Sequence, residues 1–108
     1  MTAEPTNIEV EYGHDMTFVT FLDEEILDDA QIAELGERLR PVVQHNGNGE
    51  LVLNFGHVRF MSSAMLGLLV RVHKNVRESA GRLKLCNLDA GIRRVFEITQ
   101  LNKVFDIS

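Results

Sequence analysis

The sequence predicts an α/β domain whose sheet is mostly parallel, with an antiparallel hairpin at its start and helices after the later strands. The hairpin is indicated by two strand-like segments around a turn at Gly13–Asp15: Ile8–Tyr12 alternates strictly, and Met16–Phe21 is rich in β-branched and aromatic residues. Beyond it, short apolar runs alternate with segments of helical periodicity, which favours parallel strands joined by right-handed crossovers. A length of 108 residues suits one core, so we expect residues 1–108 to form a single domain.

The first helix is expected to follow an acidic run from Asp23 to Asp29. This run lacks the alternating ligands, central glycine and final glutamate of a calcium loop, so it favours a solvated loop and a helix N-terminus over a metal site. The helix is predicted from about Asp29 toward Gln44, and Pro41 predicts a kink or an end within it. The Asn-Gly pairs of His45–Gly49 predict the loop that follows.

A buried strand is predicted at Leu51–Phe55, which is short, apolar and bounded by polar residues and glycine. A second helix should then begin at Ser62 or Ser63, whose side-chain oxygens can accept hydrogen bonds from the first turn, and should reach Ala80. Gly81 is well placed as the residue that follows the end of this helix, where glycine is common. The apolar face of this helix consists of Met65, Leu68, Leu69, Val72 and Val76.

The last third of the chain predicts a strand at Arg82–Cys86, a helix capped by Asp89 and a short closing strand at Val104–Ile107. The third helix carries its apolar residues at Ile92, Val95 and Phe96. Cys86 is the only cysteine, which excludes an internal disulfide and a multi-cysteine metal site. We interpret it as a small buried apolar residue.

The two serines at the predicted start of the second helix have a second interpretation besides capping. The free N–H groups and aligned peptide dipoles of a helix N-terminus favour an anion, so the fold should tolerate a phosphoryl group on Ser62 or Ser63. A phosphoryl group adds about 1.5 to 2 negative charges at neutral pH. Modification would therefore change a partner-facing surface without unfolding the helix, although spacing alone favours a simple cap.

Residues 60–67, Phe-Met-Ser-Ser-Ala-Met-Leu-Gly, resemble the phosphorylation segment of STAS domain proteins. The resemblance is to the bacterial anti-sigma factor antagonists, in which this segment typically reads Phe-Met-Asp-Ser-Ser/Thr-Gly-Leu-Gly. It implies that Ser63 is the phosphoacceptor. Ser62 replaces the family's Asp and is the alternative acceptor, while Ala64 and Met65 replace the second hydroxyl and the first glycine.

The resemblance covers nearly the whole chain, since residues 27–35 are similar to the Leu-Asp segment and first helix of STAS domains, and residues 89–96 to their third helix. It therefore implies a STAS-like fold. It also implies a partner-binding surface made of Asp28, Ser62, Ser63, Ala64, Met65 and Gly67. For Met65 the helical spacing leaves surface contact and core packing both open.

The function implied by the resemblance is partner switching. The unphosphorylated antagonist binds an anti-sigma factor of the GHKL serine-kinase type and frees the sigma factor. The kinase then phosphorylates the antagonist from ATP, the complex dissociates, and a serine phosphatase resets the switch. The chain itself would have no catalytic residues, no cofactor and no metal.

The composition of the chain argues against two kinds of partner, nucleic acids and membranes. The net charge of −5 and the lack of a basic stripe argue against direct nucleic-acid binding. The N-terminus lacks a basic region followed by an apolar one, and no apolar run is long enough to span a bilayer, so we expect a cytoplasmic protein without membrane contact. Many family members end in a further helix that this sequence lacks. One sheet edge or face would then be less covered, which permits a weak homodimer or a partner contact there.

Two other functions remain as alternatives. The first is a STAS interaction module that is never phosphorylated and works within a larger regulatory assembly, which the departures at Ser62, Ala64 and Met65 would support. The second is a small nucleotide-binding α/β protein or enzyme. The sequence has neither a glycine-rich phosphate loop nor a convincing nucleophile–base pair in support of it.

Overall fold

The computed structural model describes residues 8–108. In chain order its elements are strands β1 (Ile8–Tyr12), β2 (Met16–Phe21) and β3 (Glu25–Ile26), helix α1 (Asp29–Asn46), strands β4 (Glu50–Asn54) and β5 (Phe60–Met61), helix α2 (Ser63–Glu78), strand β6 (Arg82–Cys86), helix α3 (Ala90–Ile98), a 3₁₀ turn (Leu101–Lys103) and strand β7 (Asp106–Ile107). The predicted order of strands and helices is confirmed, whereas β3 and β5 were not predicted.

Five of the strands form one sheet in the order β1-β2-β4-β6-β7. β1 pairs with β2 in the antiparallel sense, and the other neighbours pair in parallel. This confirms the predicted fold class, and both hairpin strands have the predicted bounds. The hairpin turn is closed by a hydrogen bond that the Gly13 N–H donates to the Met16 carbonyl oxygen, with an N···O distance of 2.7 Å.

One face of this sheet carries the hydrophobic core. Val19 and Phe21 of β2 and Leu51 and Leu53 of β4 are fully buried there, since alternate residues of a strand share a face. The helices complete the same cluster with Ile32, Leu35 and Leu39 of α1, Leu69, Val72 and Val76 of α2, and Ile92 and Phe96 of α3. All three helices therefore cover one face of the sheet, and the cluster fixes where each helix begins relative to the strand ends.

Helix α1 does not end at Pro41, as the sequence had left open, but continues through it to Asn46. A proline inside a helix removes one backbone donor. The buried residues Leu39, Val42 and Val43 lie on either side of that position and pack into the core, so tertiary packing outweighs the lost bond. Within residues 8–108, no helix combines the length and apolar character needed to cross a membrane.

The end of α2 differs from the prediction. Ala80, and not Gly81, adopts the left-handed conformation, with φ of 60°. The Ala80 N–H donates to the Arg77 carbonyl oxygen and the Gly81 N–H to that of Val76, at 2.9 Å each, which is the hydrogen-bond pattern of a Schellman motif. Gly81 is required for a different reason, because a Cβ atom there would lie 2.7 Å from the carbonyl oxygen of Gly47.

Several smaller predictions are corrected. Strand β4 lies one residue earlier than predicted, at Glu50–Asn54, and the closing strand is only Asp106–Ile107, because the chain before it coils into the 3₁₀ turn. Val95 is 38% exposed and so is not a core residue. Cys86 is half-buried, and burial raises the pKa of its thiol, with a smaller opposing effect of the Lys84 ammonium.

Replacing Gly81 by alanine should destabilise the protein by about 1–3 kcal/mol, because the new methyl group would overlap backbone carbonyl oxygens that cannot rotate away. Gly67→Ala is the matched control. Gly67 is exposed on α2, and a Cβ atom there would have no neighbour within 4 Å apart from the adjoining backbone of its own helix. It should stabilise the helix by about 0.5–1 kcal/mol. Urea unfolding of both variants measures the difference, and equal effects would contradict the proposed role of Gly81.

Candidate functional site

A small second sheet joins the segment before α1 to the segment before α2. Strands β3 and β5 pair in parallel, with Glu25 opposite Phe60 and Ile26 opposite Met61. The pairing continues at its end, where the Ser62 N–H donates to the Ile26 carbonyl oxygen at 3.1 Å. The N-termini of α1 and α2, which are far apart in the sequence, are thereby held next to each other.

Strands β3 and β5 were not predicted, for two reasons. The acidic run that contains β3 was interpreted as a solvated loop, and a strand of two residues is too short to show an alternating pattern. One signal was present. Ile26 and Leu27 stand together among carboxylates, and such an apolar pair in an acidic run indicates a point where the chain is anchored to the core. Ile26 provides that anchor, since it is fully buried, whereas Leu27 is exposed.

Ser63 is the first residue of α2 and is exposed to solvent. The N-cap position belongs to Ser62, which has extended backbone angles, φ −87° and ψ 169°. The Ser62 side chain nevertheless accepts no hydrogen bond from the first turn. Its Oγ is buried and makes no hydrogen bond within residues 8–108, so the prediction that a serine hydroxyl caps this helix is wrong.

The two adjacent helix N-termini differ in charge. At α1, Asp28 Oδ1 accepts a hydrogen bond from the Ala30 N–H at 2.8 Å, and Asp29 adds a second carboxylate to the first turn. At α2 the first turn, residues 63–66, holds no acidic residue, and the structure describes this turn in full. The positive end of the α2 dipole is therefore not offset by a carboxylate of its own turn, which favours an anion beside Ser63.

The other predicted site residues separate into surface and core. Ala64 and Gly67 are exposed on the same end of α2 as Ser63. Met65 has no exposed surface and belongs to the core cluster, so its assignment to the partner-binding surface is wrong. The helical period explains this, since Met65 falls on the buried stripe of α2 with Leu69 and Val72.

Asp28, the remaining predicted site residue, is exposed and acts as the N-cap of α1. Gln31 completes a capping box, because its Oε1 accepts a hydrogen bond from the Asp28 N–H at 3.4 Å. The Gln31 amide also donates to the carbonyl oxygen of Glu25 in β3, at 3.3 Å. Asp28 therefore has a structural role that fixes the start of α1 beside the small sheet.

An apolar groove borders the Ser63 end of α2 and was not predicted. It has a volume of about 490 Å³ and lies between the small sheet and α3. Leu27 and Phe60 are 47% and 54% exposed at its rim, and Val95 lies on the α3 side. Glu25, Arg59 and Asp89 also line the groove, and exposed apolar side chains bordered by polar residues are typical of protein-binding surfaces.

Within residues 8–108, no three His, Cys, Asp or Glu side chains are grouped so as to hold a metal ion.

Comparison with known proteins gives a family match over nearly the whole chain. The family model for the STAS domain matches residues 7–108. A putative anti-sigma factor antagonist, BtrV of Bordetella bronchiseptica, is 31% identical over 83 residues, which are 77% of this chain and 71% of that protein. The anti-sigma-B factor antagonist of Bacillus subtilis is 36% identical over 74 residues, 68% of this chain and 66% of that protein.

Solved structures match the fold. The anti-sigma factor antagonist SpoIIAA in its unphosphorylated form is similar with a TM-score of 0.77 and 19% identity, over 94% of this chain and 88% of that one. SpoIIAA, a Bacillus cell fate determinant, in its phosphorylated form gives a TM-score of 0.71 and 18% identity, over 94% of this chain and 91% of that one. At this level of identity the two matches show the fold.

The different roles of the two N-cap residues can be measured. Asp28→Ala should lower the free energy of unfolding by about 1 kcal/mol, because it removes a capping carboxylate that accepts a hydrogen bond. Ser62→Ala should change it by less than about 0.5 kcal/mol or stabilise the protein, because it removes a buried hydroxyl that has no partner within residues 8–108. A loss in Ser62→Ala as large as that in Asp28→Ala would show that the Ser62 hydroxyl caps α2 after all.

Proposed function

The chain belongs to the STAS domain family, and on this premise we propose that it acts as an anti-sigma factor antagonist controlled by phosphorylation of Ser63. In its unphosphorylated form it binds an anti-sigma factor and thereby releases a sigma factor. Phosphorylation by that anti-sigma factor, a serine kinase of the GHKL type, ends the binding. The relatives that carry the name of anti-sigma factor antagonist support this proposal.

The observation that carries the proposal is the position of Ser63. Its side chain is exposed at the first position of α2, at a helix N-terminus whose first turn has no carboxylate. A kinase can therefore reach the hydroxyl without unfolding the helix. The phosphoryl group then sits where the helix dipole and backbone N–H groups favour negative charge.

Phosphoryl transfer makes one bond and breaks one bond. Ser63 Oγ attacks the γ-phosphorus of ATP, the bond from that phosphorus to the bridging oxygen breaks, and ADP leaves. The hydroxyl proton passes to a base of the kinase, as in other phosphoryl transfers to hydroxyls. In this scheme the chain is ligand and substrate, and it catalyses no step itself. A serine phosphatase would hydrolyse the phosphoserine and restore the binding form.

Ser63 is favoured over Ser62 as the acceptor by accessibility. The Ser62 Oγ is buried, and its backbone is tied to the small sheet through the bond from its N–H to the Ile26 carbonyl oxygen. Modification of Ser62 would require this end of the sheet to open. Ser63 needs no such opening.

The binding surface would combine Ser63, Ala64 and Gly67 with the apolar rim of Leu27 and Phe60. The small residues on α2 allow close approach of a partner backbone, and the apolar rim supplies area to bury. A phosphate in the middle of such a surface adds about two negative charges that the partner would have to desolvate. A loss of about 2.7 kcal/mol is enough to weaken binding a hundredfold.

The test is the affinity for each GHKL-type anti-sigma factor encoded in the same genome. Ser63→Asp should raise the Kd of the cognate complex by about a hundredfold, since it places a fixed charge at the centre of the surface. Ser79→Asp is the matched control, with the same substitution at the exposed opposite end of α2, and should change the Kd by less than about threefold. Unweakened binding by a folded Ser63→Asp variant would contradict the proposal.

A further inference from the structure

The face of the large sheet opposite the helices is uncovered within residues 8–108. Every buried residue of α1, α2 and α3 belongs to one core cluster, together with strand residues such as Val19 and Leu53. Val52, between Leu51 and Leu53 on β4, is only 6% exposed but does not belong to that cluster. Its side chain therefore points to the other face of the sheet.

The strand register shows the order of side chains across this second face. Glu11 lies opposite Phe18, Phe18 opposite Val52, and Val52 opposite Lys84. The row thus runs from an acidic through two apolar to a basic side chain, and Asp106 on β7 follows beyond Lys84. Glu11 is exposed, while Phe18 and Lys84 are half-buried.

The charges flanking this row have the same asymmetry. Glu9 stands two residues from Glu11 on β1, and Arg82 stands two residues from Lys84 on β6, so each pair shares the face of its strand. The β1 side of the face therefore carries two carboxylates and the β6 side two cations, with Phe18 and Val52 between them in the middle row. Glu50 of β4 shares this face with Val52 and lies beside Arg82, so Lys84 is the cation that the middle row presents.

We propose that this face binds a second copy of the same chain, with the two sheets packed face to face about a two-fold axis that runs parallel to the strands between β2 and β4. This rotation places β1 of one copy over β6 of the other, and β2 over β4. Glu11 then faces Lys84 of the second copy, and Phe18 covers Val52 of the second copy. The contact is isologous, so each of these pairs occurs twice. Asp106 lies outside the overlap, because β1 is the edge strand of this sheet in the part of the chain that the structure describes.

The size of the face determines the strength of the dimer. Four strands about 4.8 Å apart and five residues long, at about 3.3 Å per residue, cover roughly 19 by 17 Å. This is well below the area of about 800 Å² per partner that a standard stable interface buries. The dimer is therefore weak and forms at high protein concentration.

The dimer does not depend on the proposed function, and it leaves Ser63 accessible. Ser63 belongs to α2, which covers the opposite face of the sheet. Each dimer would present two Ser63 surfaces, both free to meet an anti-sigma factor. Failure of either proposal would thus be seen separately, one in self-association and the other in partner binding.

Charge exchange between Glu11 and Lys84 is the decisive experiment, because these residues are three strand spacings apart in one chain, about 14 Å, and cannot pair within it. Sedimentation equilibrium at concentrations up to about 1 mM measures the dimer. Glu11→Lys alone and Lys84→Glu alone should each raise the dimer Kd by about tenfold or more, since like charges then meet twice. The combined variant should restore the Kd to within about threefold of the parent protein.

Glu34→Lys is the matched control, with the same charge change on the exposed face of α1, and it should leave the dimer intact. Circular dichroism verifies that each variant is folded. A parent protein that is monomeric at every concentration, a Glu34→Lys effect equal to that of Glu11→Lys, or a combined variant as weak as the single ones would each overturn the proposal.

Discussion

The pairing of β3 with β5 is the interaction on which the candidate site depends. It consists of two residues on each side, but it joins two segments that each lead directly into a helix. Burial of Ile26 anchors the small sheet to the core, at a contribution of about 1.5–3 kcal/mol for a side chain of this size. Without this pairing, the starts of α1 and α2 would be the ends of two independent loops, and the rim of Leu27 and Phe60 would have no fixed relation to Ser63.

Two helix N-termini thus lie side by side but are stabilised differently. At α1 the capping box of Asp28 and Gln31 satisfies backbone groups from within the chain. At α2 the N-cap hydroxyl of Ser62 accepts no bond from the first turn, and the helix is held instead by the buried stripe that includes Met65. A helix that depends on its core face for stability can change the charge at its exposed end at little cost to the fold, and this is the physical requirement of a switch at Ser63.

Much of the fold could be predicted from the sequence, because hairpin alternation, the helical stripe of α2 and the Asp89 cap are local patterns that tertiary packing reinforces. The local patterns failed where the outcome depended on contacts distant in sequence. Gly81 looked like a helix terminator, but its close approach to Gly47 is what requires a glycine. The groove beside Phe60 could not be predicted, because its walls come from three separate parts of the chain.

The resemblance at residues 60–67 located the candidate site, and the structure separates its members by physical role. The helical spacing alone did not show whether Met65 lies on the surface or in the core. In the structure Met65 is fully buried, which places it in the core. The most direct measurement is fragmentation mass spectrometry of the chain isolated from its source cells during growth and during stress. We expect a phosphoryl group on Ser63 in one of these states. Phosphate on Ser62, or an unmodified chain in both states, would contradict the account of the α2 N-terminus as a phosphorylation switch.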